Sequence, residues 1–224
     1  MAVRTWKLVG VAGAVAVAGV LIGFYIASYL VGNTPSFRAA AAPGKPHTVD
    51  LTIQTVAAVG PQLAPNHPDW VSYLVRRQNG SWERSTVYTV PANTDVHVTI
   101  YNYDGASGLR NPFLGQPQGL VGPELVDGKP VAAMAPDEPS HTFAIPQLGV
   151  LVDVAPVGDD AKNQCGYAPC SMSQAHRTIE FTFHVGKKGH YRWQCFVPCA
   201  AGFQYGFGGA MQTVGYMDGY VNVV

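Results

Sequence analysis

Apolar and polar residues alternate strictly in segment after segment of this chain, and a period of two puts successive side chains on opposite faces of a half-buried β-strand. Val49, Leu51 and Ile53 alternate with Thr48, Asp50, Thr52 and Gln54, and Val96, Val98 and Ile100 with Asp95, His97 and Thr99. Farther on, Ile179, Phe181, Phe183 and Val185 oppose Glu180, Thr182 and His184, while Tyr191, Trp193 and Cys195 oppose His190, Arg192 and Gln194. His97 and His184 thus fall on wet faces. His141 does not, because it shares its face with Phe143 and Ile145. Charged residues make up 12% of the chain, against about 25% in an average domain, and 25 glycines and 17 prolines supply turns rather than helices. The expected class is all-β.

The runs from Trp70 to Gln78 and from Ser81 to Val90 flank Asn79-Gly80, the dipeptide best suited to a type I′ hairpin turn. From Asn102 to about Ser140 the pattern lapses. That stretch holds six prolines and is expected to be a long functional or partner-facing loop.

No charged residue occurs from Leu8 to Gly32, a run long enough to cross a bilayer as one helix. A cleaved signal peptide is the rival, with Ala39 to Ala42 as its cleavage region, but its apolar core should span about 7–15 residues. Arg4 and Lys7 lie nearer the span than Arg38 and Lys45, which favours a cytoplasmic N-terminus and an extracytoplasmic C-terminal domain. Gly19 and Gly23 form a GxxxG spacing, which arises easily in so Ala/Gly-rich a span. The expected organisation is a cytoplasmic N-terminus and transmembrane anchor over 1–35, an Ala/Pro linker over 36–46, and one domain over 47–224. Net charge is zero with no Lys/Arg cluster, so nucleic acid is not an expected partner.

The four cysteines form two close pairs, Cys165/Cys170 and Cys195/Cys199, which suit either disulfides or thiolate ligands. Periodicity places His141 and Cys195 inward on different strands. They are either metal ligands or a hydrogen-bonded core histidine and a buried sulfur.

Three strings now stand out: TVPANTDVHVTIYNYD from Thr89, HTF from His141, and YRWQCFVPC from Tyr191 followed by GYMDGYVNV from Gly215. Together they resemble the successive signatures of the cupredoxins, most specifically in the C-terminal third. The resemblance implies a cupredoxin-like Greek-key β-sandwich preceded by one N-terminal transmembrane helix. It implies copper as cofactor, with His141, Cys195 and Met217 as ligands and Met211 as the alternative methionine. The spacing Cys195-x-x-x-Cys199 is similar to the paired thiolates of cytochrome oxidase subunit II, which adds Cys199 to the set.

The sequence departs from that pattern where a second histidine should follow: Phe203 occupies its position, Gly206 stands in place of a methionine, and no histidine follows His190. Cys165 and Cys170 flank a short Gly-Tyr-Ala-Pro loop and are read as a disulfide. Cys195 and Cys199 are thiolates if copper is bound and a disulfide if it is not. The expected function is membrane-anchored, copper-dependent electron transfer beside a respiratory oxidase, with respiratory-complex subunits or a redox protein as partners. The alternative is a metal-free structural or assembly subunit of a membrane complex. No acid/base dyad, Ser/His/Asp set or phosphate-binding glycine loop is visible, so independent enzyme activity is not expected.

Overall fold

The structure is a computed structural model that describes residues 2–27, 35–65, 67–199 and 209–224. It divides into two compact units, Met1–Asn33 and Thr34–Val224. In the first, helix α1 (Ala2–Tyr25) includes a span from Trp6 to Tyr25 with mean hydropathy 2.2, long and apolar enough to cross a membrane. Residues 28–34, which hold the expected end of that run, lie outside the described residues.

The second unit is an all-β sandwich. Its first half contributes β1 (Ser36–Arg38), β2 (Ala40–Ala41), β3 (Thr48–Val56), β4 (Ser72–Arg76), β5 (Trp82–Glu83), β6 (Val87–Val90) and β7 (Thr94–Asn102). Its second half contributes β8 (Glu124–Val126), β9 (Lys129–Val131), β10 (His141–Ile145), β11 (Val150–Val154), β12 (Arg177–Val185), β13 (Gly189–Gln194) and β14 (Asp218–Val223). One sheet runs β1-β6-β14-β13-β10-β11, the other β5-β4-β3-β7-β12-β8-β9 with β2 also on β3. Parallel pairs β3/β7 and β6/β14 join strands distant in sequence, so the chain passes repeatedly between the sheets in Greek-key fashion.

The alternating residues meet between the sheets as expected. Ile53, Val98, Ile100, Phe143, Ile179, Phe183 and Trp193 are wholly buried. Trp193 stacks on Phe143 at 4.8 Å and on Tyr88 at 5.8 Å, meets Tyr73 edge-on at 5.1 Å, and donates its indole N–H to the Thr86 carbonyl at 2.8 Å. That bond gives the indole the partner a buried Trp requires.

Several expectations need correction. Residues 36–46 are not a free linker: Ser36–Arg38 pair with Val87–Thr89, and Ala40-Ala41 with Val49-Asp50. These pairings cover edges of β6 and β3 that would otherwise expose unpaired backbone groups, so the sandwich begins at β1 rather than near His47. The hairpin at Asn79-Gly80 exists, but Asn79 does not take positive φ. Gly80 alone does (φ +84), Arg77 exchanges backbone hydrogen bonds with Ser81 and Gly80, and the Asn79 side chain accepts from the Ser81 N–H at 3.0 Å. Beyond the turn the chain changes sheet, β5 staying with β4 while β6 joins β14.

The stretch from Asn102 to Ser140 is not wholly irregular either. β8 and β9 form a hairpin whose turn, Asp127-Gly128, has both φ angles positive (+50 and +75), the type I′ signature. Gln118 of the same stretch pairs with Leu151, laying the segment along β11. Lastly, Gln54 is buried instead of wet, because the loop holding the Cys165–Cys170 disulfide folds over it and Cys170 N–H donates to Gln54 Oε1 at 2.9 Å.

Candidate metal centre

His141 is the first residue of β10, and Cys195 directly follows β13. The two strands are neighbours, with Ala144 paired to Gln194, so the sheet's register carries both residues to one end of the sandwich. Cys199 returns four residues later. The ligand atoms of His141, Cys195 and Cys199 lie within 4.8 Å of one another, and all three residues are buried. Among the described residues they are the one cluster of three such side chains close enough to share an ion. His141 Nδ1 is 2.9 Å from Cys199 Sγ, and the two sulfurs are 3.6 Å apart. Both cysteines are free, whereas Cys165 and Cys170 are joined.

Backbone groups fix this arrangement. Thr142 N–H points at Cys195 Sγ at 3.4 Å, and Cys195 N–H donates to the Met217 carbonyl at 2.9 Å. Met217 is buried and meets the cluster through that carbonyl. Met211, in the short turn Ala210–Gln212, brings its thioether sulfur within 3.1 Å of the Cys199 N–H, while its own carbonyl accepts from Gln194 Nε2 at 2.7 Å. Phe203 and Gly206, on which the expected departures fall, lie outside the described residues.

The electrostatics favour one thiolate. Burial alone would raise the Cys195 thiol, but the Cys199 thiol, His141 and the Thr142 N–H together hold it well below the ordinary thiol range. Cys199 moves up, because its thiol bonds to Cys195 and burial disfavours a second charge beside the first. Burial lowers His141, yet the Asp104 hydrogen bond and the neighbouring sulfur outweigh it and lift the imidazole to about 9. The first cysteine is thus the readier of the two to ionise and the second the more reluctant. Tyr73, wholly buried and edge-on to His141 at 6.3 Å, donates its hydroxyl to the Thr142 carbonyl at 3.1 Å.

Two thiol sulfurs, one imidazole nitrogen and a nearby thioether form a soft-to-borderline donor set, the kind that suits copper and lets it change oxidation state with little rearrangement. The residues present therefore fit the ion that the sequence resemblance implies. A cleft of ≈ 270 Å³, with Asp69, Trp70, Asp104 and Pro198 among its walls, reaches His141 and Cys199 from the surface.

One residue of the site carries no ligand pattern in the sequence. Asp104 Oδ2 accepts from His141 Nε2 at 3.0 Å. Its available signal was position: it lies just past the end of β7, in the Asn-Tyr-Asp string that closes the first of the three signatures.

No family model matches this chain, and no curated protein is significantly similar to it. Among solved structures, rusticyanin, described as a copper protein, recurs. Rusticyanin from Thiobacillus ferrooxidans is 17% identical, with a TM-score of 0.33 over 86% of this chain and 83% of that one. The reduced protein is 18% identical, with a TM-score of 0.33 over 87% and 89%. A form with methionine replaced by glutamine is 18% identical, with a TM-score of 0.36 over 86% and 84%. Likeness at this level carries no argument about function.

Proposed function

We propose that this chain is a membrane-anchored, extracytoplasmic protein of cupredoxin type whose His141–Cys195–Cys199 cluster holds copper for electron transfer. The observation that supports this most is the convergence of three buried soft or borderline donors within 4.8 Å. Copper, when bound, supplies a one-electron couple. The chain's own residues orient the imidazole, hold one sulfur as thiolate, and set the buried Tyr73 ring edge-on to His141. Met211 is favoured over Met217 as the thioether ligand, since its sulfur touches the Cys199 peptide. The role is electron transfer rather than bond-making, and a respiratory oxidase or its subunits are the proposed partners. The apolar helix is proposed as the anchor, a cleaved signal sequence being the other reading of the same residues.

The alternative, a metal-free structural or assembly subunit of a membrane complex, is favoured by one observation: no histidine follows His190 to complete a common ligand set. The two readings separate on titrating the detergent-solubilised full chain with copper under anaerobic conditions. A thiolate-to-copper charge-transfer band that Cys195→Ser abolishes supports the redox reading. No band in the intact protein, with all four cysteines oxidised as isolated, supports the alternative.

A further inference from the structure

We infer that Asp104 is a positioning residue for this centre, selecting the imidazole nitrogen that faces the sulfurs and favouring the more highly charged copper ion. The inference rests on the metal-binding reading above. Both nitrogens of His141 are engaged, Nδ1 toward Cys199 Sγ at 2.9 Å and Nε2 toward Asp104 Oδ2 at 3.0 Å. An ionised carboxylate only accepts, so in the neutral, ligating imidazole Nε2 carries the proton and Nδ1 turns its lone pair to the sulfurs. An outer partner of this kind fixes the tautomer and plane of a ligating histidine and raises its basicity.

The loop around Asp104 is built to hold that carboxylate still. Its Oδ1 accepts from the Gly105 N–H at 2.9 Å, and its carbonyl accepts from Val157 N–H at 2.9 Å. Asn102, wholly buried, donates Nδ2 to the Asp104 carbonyl at 3.0 Å and to the Ala155 carbonyl at 2.8 Å, and receives the Asp104 N–H on Oδ1 at 3.2 Å. Ala155 and Val157 continue directly from β11, whose Val154 is the register partner of His141. Carboxylate and imidazole are therefore anchored to the same pair of strands. Among the described residues the ion pair recorded for Asp104 is the one with His141. Once the imidazole is a neutral ligand, this negative charge stands close to the centre, where it stabilises Cu(II) more than Cu(I).

Asp104→Asn keeps an acceptor and removes the charge, while Asp104→Leu removes both. In the detergent-solubilised full chain, Cu(II) and Cu(I) are each titrated against competing chelators, and thermal melts of the metal-free proteins check folding. The expected result is a loss of roughly 10- to 100-fold in Cu(II) affinity for Asp104→Leu, a smaller loss for Cu(I), and a higher midpoint potential. For Asp104→Asn the charge-transfer band stays at its wild-type position while the Cu(II)-to-Cu(I) affinity ratio still falls. Should Asp104→Leu fail to fold, the Asp104→Asn ratio decides alone. Wild-type affinities for both oxidation states in the folded variants would overturn the inference and leave the copper reading intact; failure of the wild-type protein to bind copper would overturn both.

Discussion

Glu124 in β8 and Asp153 in β11 are almost wholly buried, and their carboxyl groups lie beside each other. Burial, and then the Asp153 charge beside it, raise Glu124 from 4.5 to about 10. Burial likewise raises Asp153, although its hydrogen bond with Glu124 opposes part of that shift. A carboxyl raised on folding contributes stability that is complete below its unfolded value and is lost as pH climbs toward its folded value. Each pH unit above 4.5 therefore costs about 1.4 kcal/mol, so that roughly 3 kcal/mol is gone by pH 7, with Asp153 adding to the same slope. Glu124→Gln has nearly the same shape and cannot ionise. Urea melts of the full chain in detergent, followed by tryptophan fluorescence, should give variant and wild type equal stability near pH 4.5. The variant should be more stable by about 3 kcal/mol at pH 7, the gap widening toward pH 10. Parallel pH profiles for the two proteins would refute the reasoning.

Removing the Cys165–Cys170 bridge by a double serine substitution should cost about 2 kcal/mol by loop-entropy reasoning, read as a lower urea midpoint, and should expose Gln54 amide protons to exchange. A Cβ on Gly219 would lie 1.9 Å from the Thr86 carbonyl oxygen and 2.6 Å from the Trp193 indole nitrogen. Gly219→Ala should therefore lose 3 kcal/mol or more, an estimate of about the overpacking scale, and melt well below wild type in a thermal scan. Met211→Leu should change the charge-transfer spectrum of the copper-loaded protein while Met217→Leu mainly lowers stability; the reverse result would assign the thioether to Met217.

Much of the sandwich was legible because β3, β7, β12 and β13 each oppose a core to solvent, so a period of two fixes which way every side chain points. The same rule set His141 and Cys195 inward before any contact was known. It failed where a second layer covers the outer face. Thr142, Ala144, Leu151 and Asp153 are buried on both sides of their strands, and no alternation marks a strand covered on both faces. The β8/β9 hairpin was missed although Asp127-Gly128 is as strong a turn signal as Asn79-Gly80, because its flanking strands are three residues each and the surrounding prolines masked them. Asp104 could not be assigned by any local pattern. Its role depends on a hydrogen bond to a residue 37 positions away, which the bridge of Gly105 to Val157, between the segments that follow β7 and β11, helps to set.

The pairing of β10 with β13 has a mechanical outcome. The donors at 141 and 195 are spaced by peptide hydrogen bonds laid down when the protein folds, before any ion arrives, whereas the sulfurs of Cys199 and Met211 ride on the connection to β14. An incoming ion of a different radius would find two attachment points already set and would be accommodated by the other two, so exchanging one metal for another should register at Cys199 and Met211 and leave the sheet unmoved.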